Sequence, residues 1–404
     1  MQLLKITKNP LLKTGILCSM LAMCGLTEAQ ERDDRATILN FKGIQFTSKD
    51  SLFYTNFRFR MQNRIKYTNT LDGEQNDEWE ARVRRLRMRI DGYIYTPKIS
   101  YSVQLAFTRG DQDFDDSGIP NIVRDAIIFY NFSDDFYIGI GQNKLPGNRQ
   151  RVNSSGQLQF AERSIVNANF SVDRDFGLSA NLSKKIGDMP INLKGAISTG
   201  EGRAVNTTDN GLAYTGRVEF LPLGEFTNAG DYSEGDLERE ETPKLSIGGG
   251  YSYNSKTTRL SGQTGAFVKN AKDLSTVFAD AIFKYNGFAY QAEYMQRNVN
   301  DPFNMNMEDE QVYVYKGFGI NQQISYLFNK GYEIAGRYTY VEPHKDIRQF
   351  EKKTEILEAG LTKYMKAHRL KFQLNGNYLV KDGHYDNSMD NNKWGFTFQV
   401  ELGI

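Results

Sequence analysis

The sequence predicts an all-β protein: a closed antiparallel transmembrane β-barrel of about sixteen strands, with a long third loop folding into it. Three observations carry this expectation. Apolar and polar residues alternate along segment after segment, down to the last residue. The connections between these segments switch between short and long. No run of eighteen apolar residues occurs after the first thirty positions, so no helix crosses a bilayer there. The composition agrees: 404 residues with 23 Tyr, 26 Phe, 36 Gly and only 9 Pro suit strands that are apolar on one side.

The N-terminus reads differently. Lys5, Lys8 and Lys13 precede the short apolar stretch Gly15–Leu26, and small residues follow near Ala29. A positive start, a short apolar centre and a small-residue site make a secretory signal peptide over 1–29. The apolar run is too short for a membrane anchor, and Met23 is bulky where acylation of Cys24 would need a small residue. Removing 1–29 takes away three Lys and Glu28, which turns the formal charge from +1 to −1. Cys18 and Cys24 leave with the leader, so no disulfide scaffold or Cys metal site is expected. His344, His368 and His384 are isolated, which argues against a His metal cluster. No cofactor is expected. Residues 30–50 are read as a short periplasmic segment, and 51–404 as the barrel.

The first strand, 53–68, sets Phe53, Phe57, Phe59, Met61 and Ile65 against Arg58, Arg60, Gln62, Arg64 and Lys66. Period two means two faces in different solvents. Runs of ten or more alternating residues exceed ordinary soluble strands and fit membrane strands. The next, 85–95, opposes Leu86, Met88 and Ile90 to Arg85, Arg87, Arg89 and Asp91. Further strands are expected at 99–108, 190–199, 212–221, 244–254, 275–286, 287–298, 315–328, 331–342 and 368–380. The segments 121–132, 135–144, 174–184 and 354–366 alternate less cleanly, and their faces stay unassigned. The last strand presents Phe396, Phe398, Val400, Leu402 and Ile404 on one side.

Short connections fall at 96–98, 133–134, 186–189, 286–287, 329–330 and 366–368. Long ones fall at 69–78, 109–120, 145–173, 200–211, 255–274, 299–314, 343–353 and 381–392. Short periplasmic turns and long outer loops are the rule for such barrels, and they imply the outer membrane of a Gram-negative bacterium. Residues 222–243 break the rule. They occupy a short-turn position and carry Asp231, Glu234, Asp236, Glu238, Glu240 and Glu241. They read as an acidic excursion on the periplasmic side.

The chemistry lies in arginine. Arg facing lipid costs roughly 2–4 kcal/mol at the midplane, so Arg58, Arg60, Arg64, Arg85, Arg87 and Arg89 are expected to point into the lumen. A basic run suggests nucleic acid on composition alone, but export and the alternation exclude that partner. A wall of permanently charged guanidiniums attracts small anions. The same arginines can instead pair with acids across the barrel, such as Asp91, Glu219 or Glu293, leaving an unselective lumen. The long segment 145–173 adds Arg149, Arg151 and Arg163, and loops of this length are usually functional.

The stretch Gly141-Gln-Asn-Lys-Leu-Pro146, then Ala161-Glu-Arg-Ser and Asp173-Arg-Asp-Phe-Gly177, resembles the phosphate-selective porin O and P family. The Arg-rich second strand, Glu219-Phe-Leu-Pro-Leu-Gly224, and Glu355–Tyr364 followed by His368-Arg-Leu-Lys-Phe-Gln-Leu agree in order. The resemblance implies a sixteen-stranded porin, a homotrimer in outer-membrane lipid, and basic side chains along an anion path for phosphate or polyphosphate. Lys144 matches the family's lysine before proline, and Arg163 its loop arginine. Gly147 departs from the pattern, where the family commonly has an aromatic. The expected function is passive diffusion of small solutes, not catalysis. A barrel enzyme would need a Ser–His–acid constellation, and no Gly-x-Ser-x-Gly occurs. An energised transporter would need a plug longer than residues 30–50. A structural or adhesin barrel would be filled by its side chains.

Overall fold

The computed structural model describes residues 43–71, 75–111, 113–114, 120–203, 205, 211–381 and 392–404. The expected leader 1–29 lies outside them. Sixteen strands follow one another. The first four are β1 (Phe53–Leu71), β2 (Gln75–Ile94), β3 (Thr96–Ala106) and β4 (Val123–Asn131). Next come β5 (Phe136–Lys144), β6 (Arg174–Ile186), β7 (Met189–Ser198) and β8 (Ala213–Phe220). Then come β9 (Lys244–Arg259), β10 (Phe267–Tyr285), β11 (Phe288–Asn298) and β12 (Gly317–Leu327). Last are β13 (Tyr332–Pro343), β14 (Thr354–Lys366), β15 (Leu370–Lys381) and β16 (Asn392–Gly403).

Each strand pairs antiparallel with the next, and β1 pairs with β16 from Arg60↔Gly403 to Leu71↔Asn392. The sheet therefore closes, which leaves no edge unpaired in lipid. Phe59 and Ile404 exchange backbone bonds at 3.0 and 3.1 Å just past the end of β16. Beyond that point Ile44–Thr47 takes over the same edge of β1, opposite Phe57–Tyr54. The expected outward face of the last strand holds Phe396 and Leu402 among the exposed apolar residues. Tyr67 packs between Trp79 and Trp394 with ring centres 4.9 and 5.3 Å away, tilted against the first and edge-on to the second, an aromatic girdle at the long-loop end.

One departure from strict alternation matters. The pairing steps from Gln62↔Arg85 to Asn63↔Val83, so Arg84 is the extra residue of a bulge. The phase of β2 reverses there. Arg82 then lies opposite the lumenal Arg64, and Val83 is outward and 43% exposed. Without the bulge, the phase set by Arg85, Arg87 and Arg89 would aim Arg82 and Arg84 at lipid.

The short connections tighten as expected. Asn286-Gly287 turns with both residues at positive φ, the pattern a two-residue hairpin needs. Two of the long connections are shorter than expected. β1 and β2 stay paired to Leu71↔Gln75, so most of 69–78 is strand, and only 72–74 lies outside the described residues. β9 and β10 stay paired to Arg259↔Phe267 through register shifts, so most of 255–274 is strand too. Both hairpins carry polar residues on both faces at their tips, which erases the period-two signal. The expected loop 381–392 falls largely outside the described residues.

The lumen is not uniformly polar. Residues 145–173, with α1 (Arg149–Val152) and α2 (Ile165–Phe170), fold into it. Leu145, Val166, Phe170 and Val172 pack there against the inward side chains Phe278, Met295 and Val341. Residues 221–243 enter from the short-turn end, where Leu221 and Phe226 cover Ile282. Inward apolar residues on β10, β11 and β13 are thus explained by the chain that covers them.

The bulge gives a direct test. Val83→Arg would place a guanidinium in lipid and cost roughly 2–4 kcal/mol. Deleting Arg84 would keep every other residue of β2 on its present face. Folding into lipid vesicles, followed by heat-modifiable gel migration, should show the deletion assembling and V83R destabilised. The reverse order of stability would contradict the register.

Candidate functional site

The two arginine rows do lie side by side. Arg58 pairs with Arg89 and Arg60 with Arg87 across β1 and β2, while Arg64 faces Arg82. Like charges so placed need counter-charges. Asp91 meets both Arg58 and Arg89. Glu401 of β16 approaches Arg60 at 3.9 Å. Glu162 of the inserted loop joins Arg64, Arg84 and Arg85 at 2.8, 2.5 and 2.8 Å. Asp111, in a short helical turn (Arg109–Asp111) after β3, binds Arg87 and Arg124. The acids that balance the rows therefore come mostly from loops and the closing strand, not from β1 and β2 themselves.

Several arginines hold the inserted loop in place. Arg60 donates to Ser154 and Ser155 at 3.0 and 2.8 Å, and Arg87 to Ser155 at 3.0 Å. Arg64 reaches the Ala161 carbonyl at 3.2 Å. Lys371 donates to the Leu158 carbonyl at 2.7 Å, and Arg297 to that of Asn169 at 2.8 Å. Arg337 donates to the Glu162 carbonyl at 2.9 Å and lies over the Phe160 ring. Ser164 caps α2 by accepting from the Asn167 amide. Gly147 packs so closely on Val172 that a Cβ there would sit 3.0 Å from its carbonyl. A side chain after the proline would therefore have to push Val172 aside.

Burial would raise the Glu162 carboxyl, but the guanidiniums of Arg85, Arg64 and Arg84 outweigh it and hold the group well below the usual carboxylate range. Asp173 follows the same logic through Arg151. Burial, reinforced by the like charges of Arg151, Arg85 and Arg87, pushes the Arg163 guanidinium well down.

The loop is thus bonded mainly to the wall formed by β10–β16 and β1. On the β2–β7 side a cavity of about 420 Å³ stays open. Arg87, Arg89, Lys144, Arg151 and Arg163 line it, together with Arg124, Arg174 and Lys194. Asp125 is the single carboxylate among the described lining residues. Arg174 binds Asp125 at 2.7 Å, and Lys194 binds Glu219 at 2.8 Å. Lys144 donates to the carbonyls of Val152 and Asn153 at 2.9 and 3.0 Å. Arg163 donates to those of Gln150 and Asn153 at 2.5 and 2.9 Å. Among the described residues, neither of these two cations has a carboxylate within ion-pair distance.

The expectation that Arg149 joins this path from across the constriction is corrected. Arg149 is fully buried on the opposite side of the loop. It binds Asp280 at 2.7 Å, Ser246 and the Asp231 carbonyl. Arg58, Arg60, Arg64 and Arg85 also lie outside the cavity lining. Arg124, Arg174 and Lys194 were missed by the sequence reading. Lys194 had a usable signal, as the one charge between apolar neighbours of β7. Arg124 is the extra residue at a register shift opposite Gln104 and Leu105, which hid its face. Among the described residues no cluster of His, Cys, Asp or Glu is arranged to hold a metal ion.

A family model, phosphate-selective porin O and P, matches residues 56–401, which spans the barrel and every residue of the cavity. The chain belongs to the phosphate-selective porin O and P family. It is an outer-membrane porin. An uncharacterised protein of Aquifex aeolicus is 23% identical over 368 residues, covering 79% of this chain and 80% of that one. Among solved structures the fold is similar to the anion-selective porin from Comamonas acidovorans, at TM-score 0.53 and 10% identity over 87% of this chain and 99% of that one. It is also similar to OprB of Pseudomonas putida, at TM-score 0.55 and 8% identity over 87% and 94%. The in-vitro folded OmpT of Vibrio cholerae in its trimer form matches at TM-score 0.52 and 10% identity, over 87% and 99%.

The Glu162 cluster gives a pH-dependent prediction for this porin. A carboxyl held below its ordinary value contributes fully above about pH 4.3, and the contribution fades only as pH falls through the lower folded value. Single-channel noise should therefore be equal at pH 7 and 4.5. Glu162→Gln should raise noise at both pH values and shift reversal potential toward anions. A quiet, unshifted E162Q channel would show that the cluster does not anchor the loop.

Proposed function

We propose that this porin favours small anions of the phosphate class and that selection occurs in the basic cavity facing β2–β7. The observation that carries the reading is the charge of its lining: eight cationic side chains against one carboxylate among the described residues. Arg87, Arg89, Arg124, Arg151 and Arg174 are permanent charges, each partly balanced by a nearby acid. Lys144 and Arg163 supply the surplus. Planar guanidinium forks suit oxyanions, and an ammonium adds a compact point charge. The loop narrows the path so that a solute passes within reach of both sets. Membership of the family supports this reading, as does the fold shared with a porin whose own description is anion-selective. Its likeness to a trimeric OmpT supports assembly as a homotrimer in outer-membrane lipid.

A second reading is a general porin with little selectivity. It is favoured by the internal pairing that neutralises Arg58, Arg60, Arg64, Arg85 and Arg149.

Reversal potential in a salt gradient across a planar bilayer separates the two. The wild type should prefer chloride over potassium. A unit charge acting across about 7 Å of water contributes about 0.6 kcal/mol, or roughly threefold in permeability ratio. Lys144→Gln with Arg163→Gln should therefore lower the anion preference several-fold, and Lys144→Glu further. A wild-type potential of zero would favour the unselective reading. Light scattering of the detergent-extracted protein should return the mass of three chains.

A further inference from the structure

At the short-turn end, the described connections of the barrel other than 221–243 are tight. Residues 221–243 instead climb into the lumen and are fixed there. Lys284 donates to the carbonyls of Gly230 and Ser233 at 2.7 and 3.1 Å. Asp236 accepts from the Gly287 amide at 2.7 Å. Glu234 accepts from Gln150 and from the Gln159 amide, both at 2.9 Å, which ties the segment to the inserted loop above it. With Phe226 buried against Ile282, the segment is a packed part of the interior and not a loose flap.

Its lip is Tyr232. The hydroxyl donates to Glu219 and accepts from Lys194, and the Lys194 ammonium sits 4.5 Å from the centre of the ring. Two charged side chains, Lys194 and Glu219, therefore hold the ring in place. Tyr232 lines the basic cavity. It also lines a second cavity of about 530 Å³, between the segment and the turns after β4 and β6. The two cavities differ in charge. In the second, Lys184 pairs with Asp135 at 3.3 Å and Lys185 with Glu225 at 3.2 Å, while Asp231 adds a further carboxylate. No cationic surplus remains there among the described lining residues.

We propose that residues 221–243 form a fixed sill with Tyr232 as its edge, a second constriction in series with the basic cavity. The cavity discriminates by charge. The sill limits solute size at the periplasmic exit and carries a large share of the pore's resistance. A rigid aromatic edge suits this role, since it narrows the passage without offering a net charge to hold the solute. The assignment goes beyond anion preference and does not depend on it.

The test uses the full mature porin in planar bilayers. Tyr232→Ala should raise single-channel conductance roughly 1.5-fold or more, and Tyr232→Trp should lower it, because resistance in series follows the narrowest section. Neutral polyethylene glycols of graded size, added from the periplasmic side, should enter further in Y232A than in the wild type. Reversal potential should change far less than conductance in both variants, since neither adds nor removes a charge. If Y232A fails to assemble, the fall in Y232W still decides the matter. Conductance and polymer cut-off unchanged from wild type in the folded variants would overturn the proposal. So would a change confined to reversal potential, which would place Tyr232 in the charge filter. An unselective wild type would refute the anion reading and leave the sill standing.

Discussion

Hydrocarbon accepts no charge and no unpaired backbone group, and the architecture follows from this refusal. Every guanidinium of β1 and β2 must turn inward, and the bulge at Arg84 exists on the side where one more residue of strict alternation would have failed. Once inward, the rows Arg58-Arg60-Arg64 and Arg85-Arg87-Arg89 stand too close to be left alone. Carboxylates must come to them, since nearby on that face β2 offers only Asp91 and Glu80, and Glu80 is taken up by Arg82. Glu162 and Asp111 arrive on loops. The inward folding of residues 145–173 is therefore not decoration of a finished barrel. It is the electrostatic completion of its first two strands.

This completion divides the lumen. The loop spends its carbonyls and acids on cations of β1, β2, β11, β13 and β15, and its apolar residues on Phe278, Met295 and Val341. What remains open lies against β2–β7, where Lys144 and Arg163 meet only backbone oxygens among the described residues. An arginine count alone overstates the field a solute meets. Position relative to the loop decides which charges are structural and which are available.

Much of the architecture was legible in the sequence because lipid imposes a period of two. The strands with clean alternation fall where expected, as do the short turns and the inserted third loop. The acidic excursion was legible too, as a length anomaly. Illegible features share one cause, the presence of something other than lipid or water beside the strand. Hairpins that rise out of the bilayer lose alternation, so the loops at 69–78 and 255–274 were set too long. Ile282, Met295 and Val341 are inward yet apolar because chain covers them. Arg124 was hidden by a register shift, and Arg149 was misplaced because a loop's sequence does not say which wall it touches. Lys194 obeyed the alternation rule as the one charge of β7, whereas Arg174 sat beside Asp175 on a strand whose faces the period did not assign.

The seam between β1 and β16 bears on how the porin comes to exist at all. Its partners are roughly 340 residues apart in the chain, so joining them costs about 5 kcal/mol of loop-closure entropy in an otherwise free chain. Neighbouring hairpins can form as they emerge, but β1 must wait for the final residues, with its hydrogen-bonding edge unmet. Ile44–Thr47 shields only Tyr54–Phe57 of that edge. The stretch from Arg60 to Leu71, which carries Arg60 and Arg64, is thus the last to find its neighbour. Ring formation, rather than strand formation, is the step at which an unfinished copy stays exposed to strand addition from outside.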